Sequence, residues 1–263
     1  MNEKRSIPLL LNKDYPSPSL FLPDNLLREA RRQKSIPDCN VPEICVLDPD
    51  GDLADYLVKT GAASLNECWA CYHSKMYSFK VDDFVIGIIP CIVGASYAVL
   101  VAEQLFVSGC KQLISVTSAG IINHSAVTKK FALITEAVRD EGTSYHYLPP
   151  TASVKFPQAF CNKLGDSTAD SNCPFFEVKS WTTDAPYRET QTAISAMEKT
   201  NVCCVEMEAA ALYAFAEAKQ KNVICFAHLT NTMAQAEGDF EKGEHFGSID
   251  TLHLLSYLLK RIL

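Results

Sequence analysis

Four short polar clusters stand where buried apolar runs of this sequence end, and their residue types give the first indication of chemistry. In an open α/β sheet, ligands bind beyond the carboxyl ends of the strands, so residues at these ends are candidates for a site. The four clusters are Asp48-Pro-Asp-Gly-Asp52, Thr117-Ser-Ala-Gly120, Glu206-Met-Glu208 and Thr230-Asn-Thr232. Each cluster alone is a weak signal.

Two of these clusters each allow two interpretations. Glu206 and Glu208 flank a methionine at the start of an alanine-rich segment. An ionised carboxylate accepts hydrogen bonds from vicinal hydroxyl groups, which indicates a sugar site, but the same acids also complement a helix dipole. The predicted turn Ser118-Ala-Gly120 presents backbone N–H groups to an anion, or it is a tight loop that needs small residues.

The elements that must position these clusters alternate between strand and helix. Short, continuous apolar runs predict buried strands at residues 84–89, 113–117, 131–138, 201–205 and 223–229. Helical spacing or alanine-rich composition predicts helices at residues 97–107, 209–219 and 249–262. This alternation predicts an α/β fold with a covered sheet.

The composition is that of a soluble globular chain, and it argues against two kinds of partner. Of 263 residues, 48% are hydrophobic and 21% are charged, close to globular averages. The formal net charge of −7 argues against nucleic acid, which needs a basic surface. The apolar stretch 84–107 contains Pro90, Gly94 and Glu103, which argue against a membrane span.

The eleven cysteines are predicted to be reduced thiols in a cytoplasmic protein. Several lie in or beside apolar runs, where a thiol behaves as a small hydrophobic group, and the first residues do not have the pattern of a secretory signal. Cys68-Trp-Ala-Cys71 has the spacing of a redox or zinc pair, but no second pair accompanies it. We therefore favour a structural role for this pair and expect no metal.

One domain with an N-terminal arm is predicted. Residues 1–40 contain several prolines and a charged helical patch, Glu29-Ala-Arg-Arg-Gln-Lys34, which is typical of a solvated face. Residues 41–263 contain no evident linker or internal repeat, and they are predicted to form the α/β domain.

Five ordered segments resemble the nucleoside phosphorylase family, in particular its uridine phosphorylase-like branch. The segment Val205-Glu-Met-Glu-Ala-Ala-Ala211 is similar to the family's ribose-binding signature. The others resemble, in chain order, the glycine turn, the phosphate-side loop and two segments of the uridine phosphorylase-like branch: Cys91-Ile-Val-Gly-Ala-Ser96, Ser115-Val-Thr-Ser-Ala-Gly120, Arg139-Asp-Glu-Gly-Thr-Ser-Tyr-His-Tyr-Leu-Pro149 and Trp181-Thr-Thr-Asp-Ala-Pro-Tyr-Arg-Glu-Thr190.

The resemblance implies a fold and a set of residue roles. The fold would be a single three-layer α/β domain with a mixed, partly barrel-like central sheet, assembled into a homo-oligomer. The ribose would be bound by Met207 and Glu208. The catalytic residues would be Glu208 and Asn231. The phosphate or water would be faced by Gly51, Thr117, Ser118 and Gly120. The base would be contacted by Pro186, Tyr187 and Asn231.

The sequence departs from the family pattern on the phosphate side. Phosphorylases of this family usually have one arginine at the position of Ser115 and another near Leu53, and both are missing. Arginine binds phosphate through two hydrogen bonds, and a serine hydroxyl does not replace its charge. Arg139 or Arg188 is a candidate for a displaced cation, and each is equally a surface or salt-bridge residue.

A further departure concerns the leaving group. Purine-acting members commonly have an aspartic acid where Asn231 stands. An amide cannot act as a general acid, although it can form hydrogen bonds with a base. Together with the uridine phosphorylase-like segments, this residue favours a pyrimidine or an atypical base.

The resemblance therefore predicts an enzyme that cleaves the N-glycosidic bond of a nucleoside. In the leading interpretation it is a phosphorylase, a glycosyltransferase that yields free base and sugar 1-phosphate, with inorganic phosphate as possible co-substrate and no other cofactor. A nucleosidase that uses water is the first alternative, and a non-catalytic nucleoside-binding protein is the second.

Overall fold

The computed structural model describes residues 7–157, 170–231, 237 and 239–262. The described strands are β1 (Ile44–Asp48), β2 (Ala63–Leu65), β3 (Tyr77–Val81), β4 (Phe84–Pro90), β5 (Gln112–Ile121), β6 (Phe131–Asp140), β7 (Ser153–Lys155), β8 (Phe175–Thr183), β9 (Val202–Glu206) and β10 (Val223–Asn231). The described helices are α1 (Pro23–Lys34), α2 (Asp52–Lys59), α3 (Ala95–Val107), α4 (Gln191–Glu198), α5 (Ala209–Lys219) and α6 (Ser248–Ile262).

Five strands close into a barrel, and the other strands extend from it. The ring runs through β5, β10, β6, β8 and β9 and returns to β5. Outside the ring, β1 pairs with β5 and leads to β4, β3 and β2, while β7 pairs with β6. The sheet is mixed, since β5 is parallel to β1 and β10 but antiparallel to β9. The predicted α/β fold with a mixed, partly barrel-like sheet is confirmed.

Strand β5 has an open stretch on one edge, and this opening positions the candidate site. β10 pairs with β5 from Leu113 to Gly120 along one edge. On the opposite edge, β1 pairs only as far as Ser115, and β9 begins to pair at Gly120. Among the described strands none fills the interval between these two points. Backbone groups there are therefore available to side chains.

The predicted turn at Ser118-Ala-Gly120 is wrong, because these residues are part of β5. Pairing with β10 along the whole interval, and with β9 at its end, satisfies backbone groups that a turn would leave open. The other predicted strands and helices are confirmed, with ends shifted by at most two residues except for β5, which extends four residues beyond the predicted end at residue 117. Strands β2, β3, β7 and β8 and helices α2 and α4 were missed.

Helix α5 and strand β1 illustrate how apolar sequence forms the core. The first eight residues of α5, Ala209–Ala216, are all buried, and most are alanines that allow close packing against the barrel. The hydroxyl of the buried Tyr213 donates to the carbonyl of Ile134 at 2.6 Å. All five residues of β1 are buried, as expected for a strand covered on both faces. None of the described helices combines the length and the apolar character that crossing a membrane requires.

The N-terminal segment is attached to the domain by packing and by a disulfide bond. Helix α1 buries Leu27 and Ala30. Cys39 is bonded to Cys68, with 5.4 Å between their Cα atoms, so the expectation of reduced thiols is wrong for these two residues. Because Cys68 is already bonded to Cys39, it does not form a pair of free thiols with Cys71. A bridge of this kind stabilises a fold by about 2–4 kcal/mol.

Candidate active site

Glu206, at the junction between β9 and α5, caps the helix. Its Oε1 accepts hydrogen bonds from the hydroxyls of Ser180 at 3.0 Å and Thr182 at 2.5 Å. Its Oε2 accepts the backbone N–H groups of Glu208 and Ala209, both at 2.7 Å. Burial raises the pKa of Glu206, and these hydrogen bonds oppose the shift. Both oxygens of Glu206 are thus occupied by the protein itself.

Glu208 faces the start of α3 and keeps one oxygen without a partner. Its Oε1 accepts the backbone N–H of Gly94 at 2.7 Å. Its Oε2 is buried and has no hydrogen-bond partner in the described part of the chain. Burial, with a smaller contribution from the charge of Glu206, raises the pKa of Glu208 to about 8. A buried acceptor without a donor is costly, and a ligand hydroxyl would supply the donor.

The junction between β1 and α2 resembles the junction between β9 and α5, because a buried acid accepts backbone N–H groups at the start of the helix. Asp48 is buried, and its Oδ1 and Oδ2 accept the N–H groups of Gly51 at 3.2 Å and Ala54 at 2.9 Å. Burial raises the pKa of Asp48 to about 7, against the effect of these hydrogen bonds. Gly51 has a φ of 83°, and a Cβ atom there would lie 2.9 Å from the Sγ of Cys91. Both observations require glycine at this position.

Asp50 lies across the open edge of β5, and three donors converge on its Oδ2 atom. The backbone N–H of Ser118 donates to it at 3.1 Å, and the hydroxyl of Ser118 donates to the same oxygen. The Nζ of Lys242 lies 3.3 Å from this oxygen and 2.5 Å from the Oδ2 of Asp52. The Lys242 side chain is only 10% exposed, so solvent screens these ion pairs weakly.

These groups line a small cavity, in which the space open to the centre of a water molecule is about 20 Å³. Leu53, near the position where an arginine was expected, forms an apolar part of the wall. His228 is another part of the wall, and its ring stacks on Phe131 with 4.7 Å between centroids. Burial lowers the pKa of His228 to about 4, so the imidazole is neutral near neutral pH. The wall carries three carboxyl groups and one ammonium group: Asp48, Asp50, Asp52 and Lys242.

The four residues predicted to face phosphate or water lie at different distances along this region. Thr117 and Ser118 line the cavity. Gly51 lies at the start of α2, between two lining aspartates. Gly120 lies further along β5, where it pairs with Val205, the residue before the capping glutamate. Strand β5 therefore connects the cavity to the β9–α5 junction.

The residues predicted for the ribose and the base lie at the ends of barrel strands. Met207 is partly buried between the two glutamates. Asn231 ends β10, and its Nδ2 donates to the hydroxyl of Thr230 at 3.1 Å. Pro186 and Tyr187 begin a 3-10 turn after β8, in which Tyr187 is 99% exposed. Thr232 lies outside the described residues. The base-binding roles stay predictions.

Neither arginine that was considered as a displaced phosphate ligand lines the cavity. Arg139 is buried, and its guanidinium donates to Ser144, Leu148, Pro149 and Thr151. Arg188 is exposed in the turn after β8. Sequence reasoning missed Lys242, which carries the positive charge of the lining, and it missed His228.

The family model described as the phosphorylase superfamily matches residues 43–252. Uridine phosphorylase from Vibrio fischeri ES114 is similar in structure, with a TM-score of 0.70 and 16% identity over 86% of this chain and 94% of that chain. Purine nucleoside phosphorylase from Toxoplasma gondii in complex with immucillin-H has a TM-score of 0.68 and 13% identity over 85% of this chain and 90% of that chain.

At these identities the structural likeness concerns the fold. No curated protein matches the chain at a significant level. The family model, by contrast, covers the chain from β1 to the first five residues of α6 and so includes both acidic junctions and the strand between them. This chain belongs to the phosphorylase superfamily.

Proposed function

We propose that this chain cleaves the N-glycosidic bond of a nucleoside and transfers the sugar to water. The observation that carries the proposal is the position of Asp50, whose carboxylate accepts both hydrogen bonds of Ser118 on the acceptor side. A phosphorylase would need such donors for phosphate. Within the superfamily, the nucleosidase alternative is therefore favoured over the phosphorylase.

The proposed sugar site is the junction between β9 and α5. In its ionised form, Glu208 accepts hydrogen bonds from ribose hydroxyls, and Met207 packs beside the sugar. Positive charge develops on the sugar as the glycosidic bond breaks, and the buried carboxylate stabilises that charge. Asn231, Pro186 and Tyr187 contact the base, which leaves with the electron pair of the broken bond.

The charge of the cavity wall favours water as the acceptor. The cavity leaves about 20 Å³ open to the centre of a water molecule, so a water molecule fits beside these groups. Among the described residues of its wall, the carboxyl groups of Asp48, Asp50 and Asp52 outnumber the one cation, Lys242. Such a surplus of carboxylates disfavours a phosphate anion in a partly buried site.

Asp50 is the proposed base for the water. The water oxygen bonds to the anomeric carbon, which has lost its bond to the base, and one water proton passes to Asp50. The departing base takes up a proton from solvent. Thr117 and Ser118 line the same cavity and orient the water. No covalent intermediate with the protein is needed.

Product analysis tests the proposed function. A panel of purine and pyrimidine nucleosides is incubated with the protein, with and without phosphate, and free base, free sugar and sugar 1-phosphate are measured. We expect base and free sugar without any need for phosphate, with pyrimidines preferred because Asn231 cannot protonate a purine. Strict dependence on phosphate would return the phosphorylase interpretation. Thermal stabilisation by nucleoside without release of base would support the binding protein instead.

A homo-oligomeric assembly and a cytoplasmic location stay predictions from the sequence. Light scattering coupled to size-exclusion chromatography measures the assembly.

A further inference from the structure

The hydrogen bonds around Asp50 have the pattern of an anion-binding site. A backbone N–H, a hydroxyl and an ammonium group all converge on one carboxylate oxygen. Backbone N–H, hydroxyl and ammonium groups are the donors that bind phosphate oxygens in proteins. In this chain, Asp50 itself provides the negatively charged oxygen.

We propose that Asp50 selects water over phosphate by occupying, with its own carboxylate, an anion-binding site formed by Ser118 and Lys242. Removal of this carboxylate would leave a subsite that binds inorganic phosphate. The inference rests on the proposed function for its catalytic consequence, since it concerns the choice of acceptor in the same reaction. The existence of the latent subsite does not depend on that function.

The donors are held in position without Asp50. Ser118 belongs to β5 and pairs with His228 of β10 in the barrel, so its backbone does not depend on the carboxylate. Lys242 has a second ion pair, at 2.5 Å, with Asp52 at the start of α2. Both donors should therefore remain aimed at the cavity when the side chain at position 50 is shortened.

Removal of the Asp50 carboxylate also changes the space and the charge that phosphate meets. The cavity, now about 20 Å³, gains the volume of a carboxylate that lies directly on the donors. The wall loses one negative charge, and Lys242 loses one of its two partners. Asp50 is a surface-accessible residue that caps no helix, so the substitution should be tolerated by the fold.

Asp52 provides a matched control. Asp52→Ala removes the same charge from the same lysine, but Asp52 accepts no hydrogen bond from Ser118 in the described contacts. If the loss of one negative charge alone increased the affinity for phosphate, the affinity would therefore rise in both single variants. If the Ser118 donors must be freed to bind phosphate, the affinity would rise only in Asp50→Ala. The double variant Asp50→Ala, Lys242→Gln then tests whether the ammonium group contributes.

The first measurement is binding of inorganic phosphate by isothermal titration calorimetry, supported by thermal shift. We expect Asp50→Ala to bind phosphate at least tenfold more tightly than the wild type, Asp52→Ala and the double variant. Asp50→Ser is a second small substitution and should behave as Asp50→Ala does. Failure of both position-50 variants to gain phosphate binding, whether folded or not, would overturn the proposal. Equal gains in Asp50→Ala and Asp52→Ala would overturn it as well.

The second measurement concerns the acceptor. In Asp50→Ala, hydrolysis should fall because the base is missing, and phosphate should restore release of the nucleobase. Phosphate oxygen then bonds to the anomeric carbon, the base leaves with the electron pair and takes a proton from solvent, and sugar 1-phosphate is formed. Free sugar as the only product in the presence of phosphate would contradict this step. Absence of cleavage by the wild type would refute the proposed function, while the phosphate titration would still decide the latent subsite.

Discussion

Two strand-to-helix junctions of this molecule have the same arrangement of acids and different surroundings. At the end of β1, Asp48 caps α2, and at the end of β9, Glu206 caps α5. Two positions later, a second acid faces the candidate site: Asp50 in the first junction and Glu208 in the second. We call the first the acceptor junction and the second the sugar junction. Capping hydrogen bonds occupy the first acid of each junction, and the proposed function uses the second.

The two facing acids differ in what they contact. The Oδ2 of Asp50 receives three donors from Ser118 and Lys242. The Oε2 of Glu208 is buried and receives none from the described residues. A satisfied carboxylate leaves no donors for an incoming anion, whereas an unsatisfied buried one needs a donor from a ligand. The same spacing of acids therefore gives one side that disfavours anions and one side that is suited to hydroxyl groups.

The largest effect is expected from removing the capping acid of the sugar junction. Glu206→Ala leaves four donors without their acceptor, and we expect the free energy of unfolding to fall by roughly 3–5 kcal/mol. Asp48→Ala removes the acceptor of two backbone groups, and roughly 1–3 kcal/mol is expected. Urea unfolding followed by circular dichroism measures both. A larger loss in Asp48→Ala than in Glu206→Ala would contradict this order, which follows from the number of donors that each acid accepts.

Substitution of the facing acid tests the sugar junction without changing its size. In Glu208→Gln, the amide oxygen still accepts the N–H of Gly94. The amide nitrogen cannot accept a hydrogen bond from a hydroxyl group, and the side chain carries no charge. We expect kcat/KM for base release to fall roughly 10²–10³-fold. The free energy of unfolding should not fall, since the Oε2 has no donor to lose. An unchanged kcat/KM for release of the base would contradict the proposed role of Glu208 in ribose binding.

The sugar junction could be predicted from sequence because its pattern is local. Glu206 and Glu208 stand next to an alanine-rich segment. Adjacent residues were therefore enough to predict the helix and the two possible roles of the glutamates, which are to complement the helix dipole or to bind a sugar. The structure shows a cap at one glutamate, and at the other it leaves a buried oxygen without a partner in the described part of the chain. This division could not be predicted, because it depends on Ser180 and Thr182 from β8, a strand that sequence patterns missed.

The acceptor junction could be predicted only in part, because its contacts join distant parts of the chain. Its aspartates were recognised as a polar cluster, but Asp50 contacts Ser118, 68 positions away, and Asp52 contacts Lys242, 190 positions away. No local period indicates such contacts. One available signal was overlooked: His228 is an ionisable residue near the end of an otherwise apolar run. The wrong turn at Ser118 has a similar cause, since pairing with β10 overrides the local preference of small residues.

The pH dependence of activity sharpens the comparison between the two facing acids. The pKa of Glu208 is raised to about 8 by burial, and the proposed hydrogen bonds from ribose hydroxyls need the ionised form. Below about pH 8, kcat/KM should therefore rise about tenfold per pH unit, and above it the profile should level off. Glu208→Gln should lose this step. A wild-type profile that is flat between about pH 6 and pH 9 would contradict the role of the ionised carboxylate.

The same shift should act in the opposite direction on stability. The ordinary pKa of the carboxyl is 4.5, so between about pH 4.5 and pH 8 the unfolded chain releases a proton that folded Glu208 keeps. The free energy of unfolding therefore falls as pH rises through this window and is level above it. Asp48, with its pKa raised to about 7, adds to the fall. Thermal melts should show a shallower dependence in Glu208→Gln, and an equally steep one would contradict the assignment.

The smallest effect concerns a one-residue difference between the junctions. Helix α5 starts directly after Glu208, whereas Gly51 separates Asp50 from α2. The left-handed conformation of Gly51 directs the chain so that the second acid lies against Ser118. Gly51→Ala should lower the free energy of unfolding by about 1–2 kcal/mol, because a side chain disfavours this conformation.

A double-mutant cycle separates that backbone cost from the contact with Cys91. If the Cβ of Gly51→Ala meets the Sγ of Cys91, which would lie 2.9 Å away, Cys91→Ala should recover part of the loss and leave the backbone cost. Because the turn orients Asp50, Gly51→Ala should also lower kcat/KM for hydrolysis. This loss of activity should remain in the double variant, in which Cys91→Ala has removed the contact. Full recovery of both the free energy of unfolding and the rate of hydrolysis in the double variant would mean that glycine is needed at position 51 only to avoid contact with Cys91. The two junctions would then differ only in their contacts and not in their backbone.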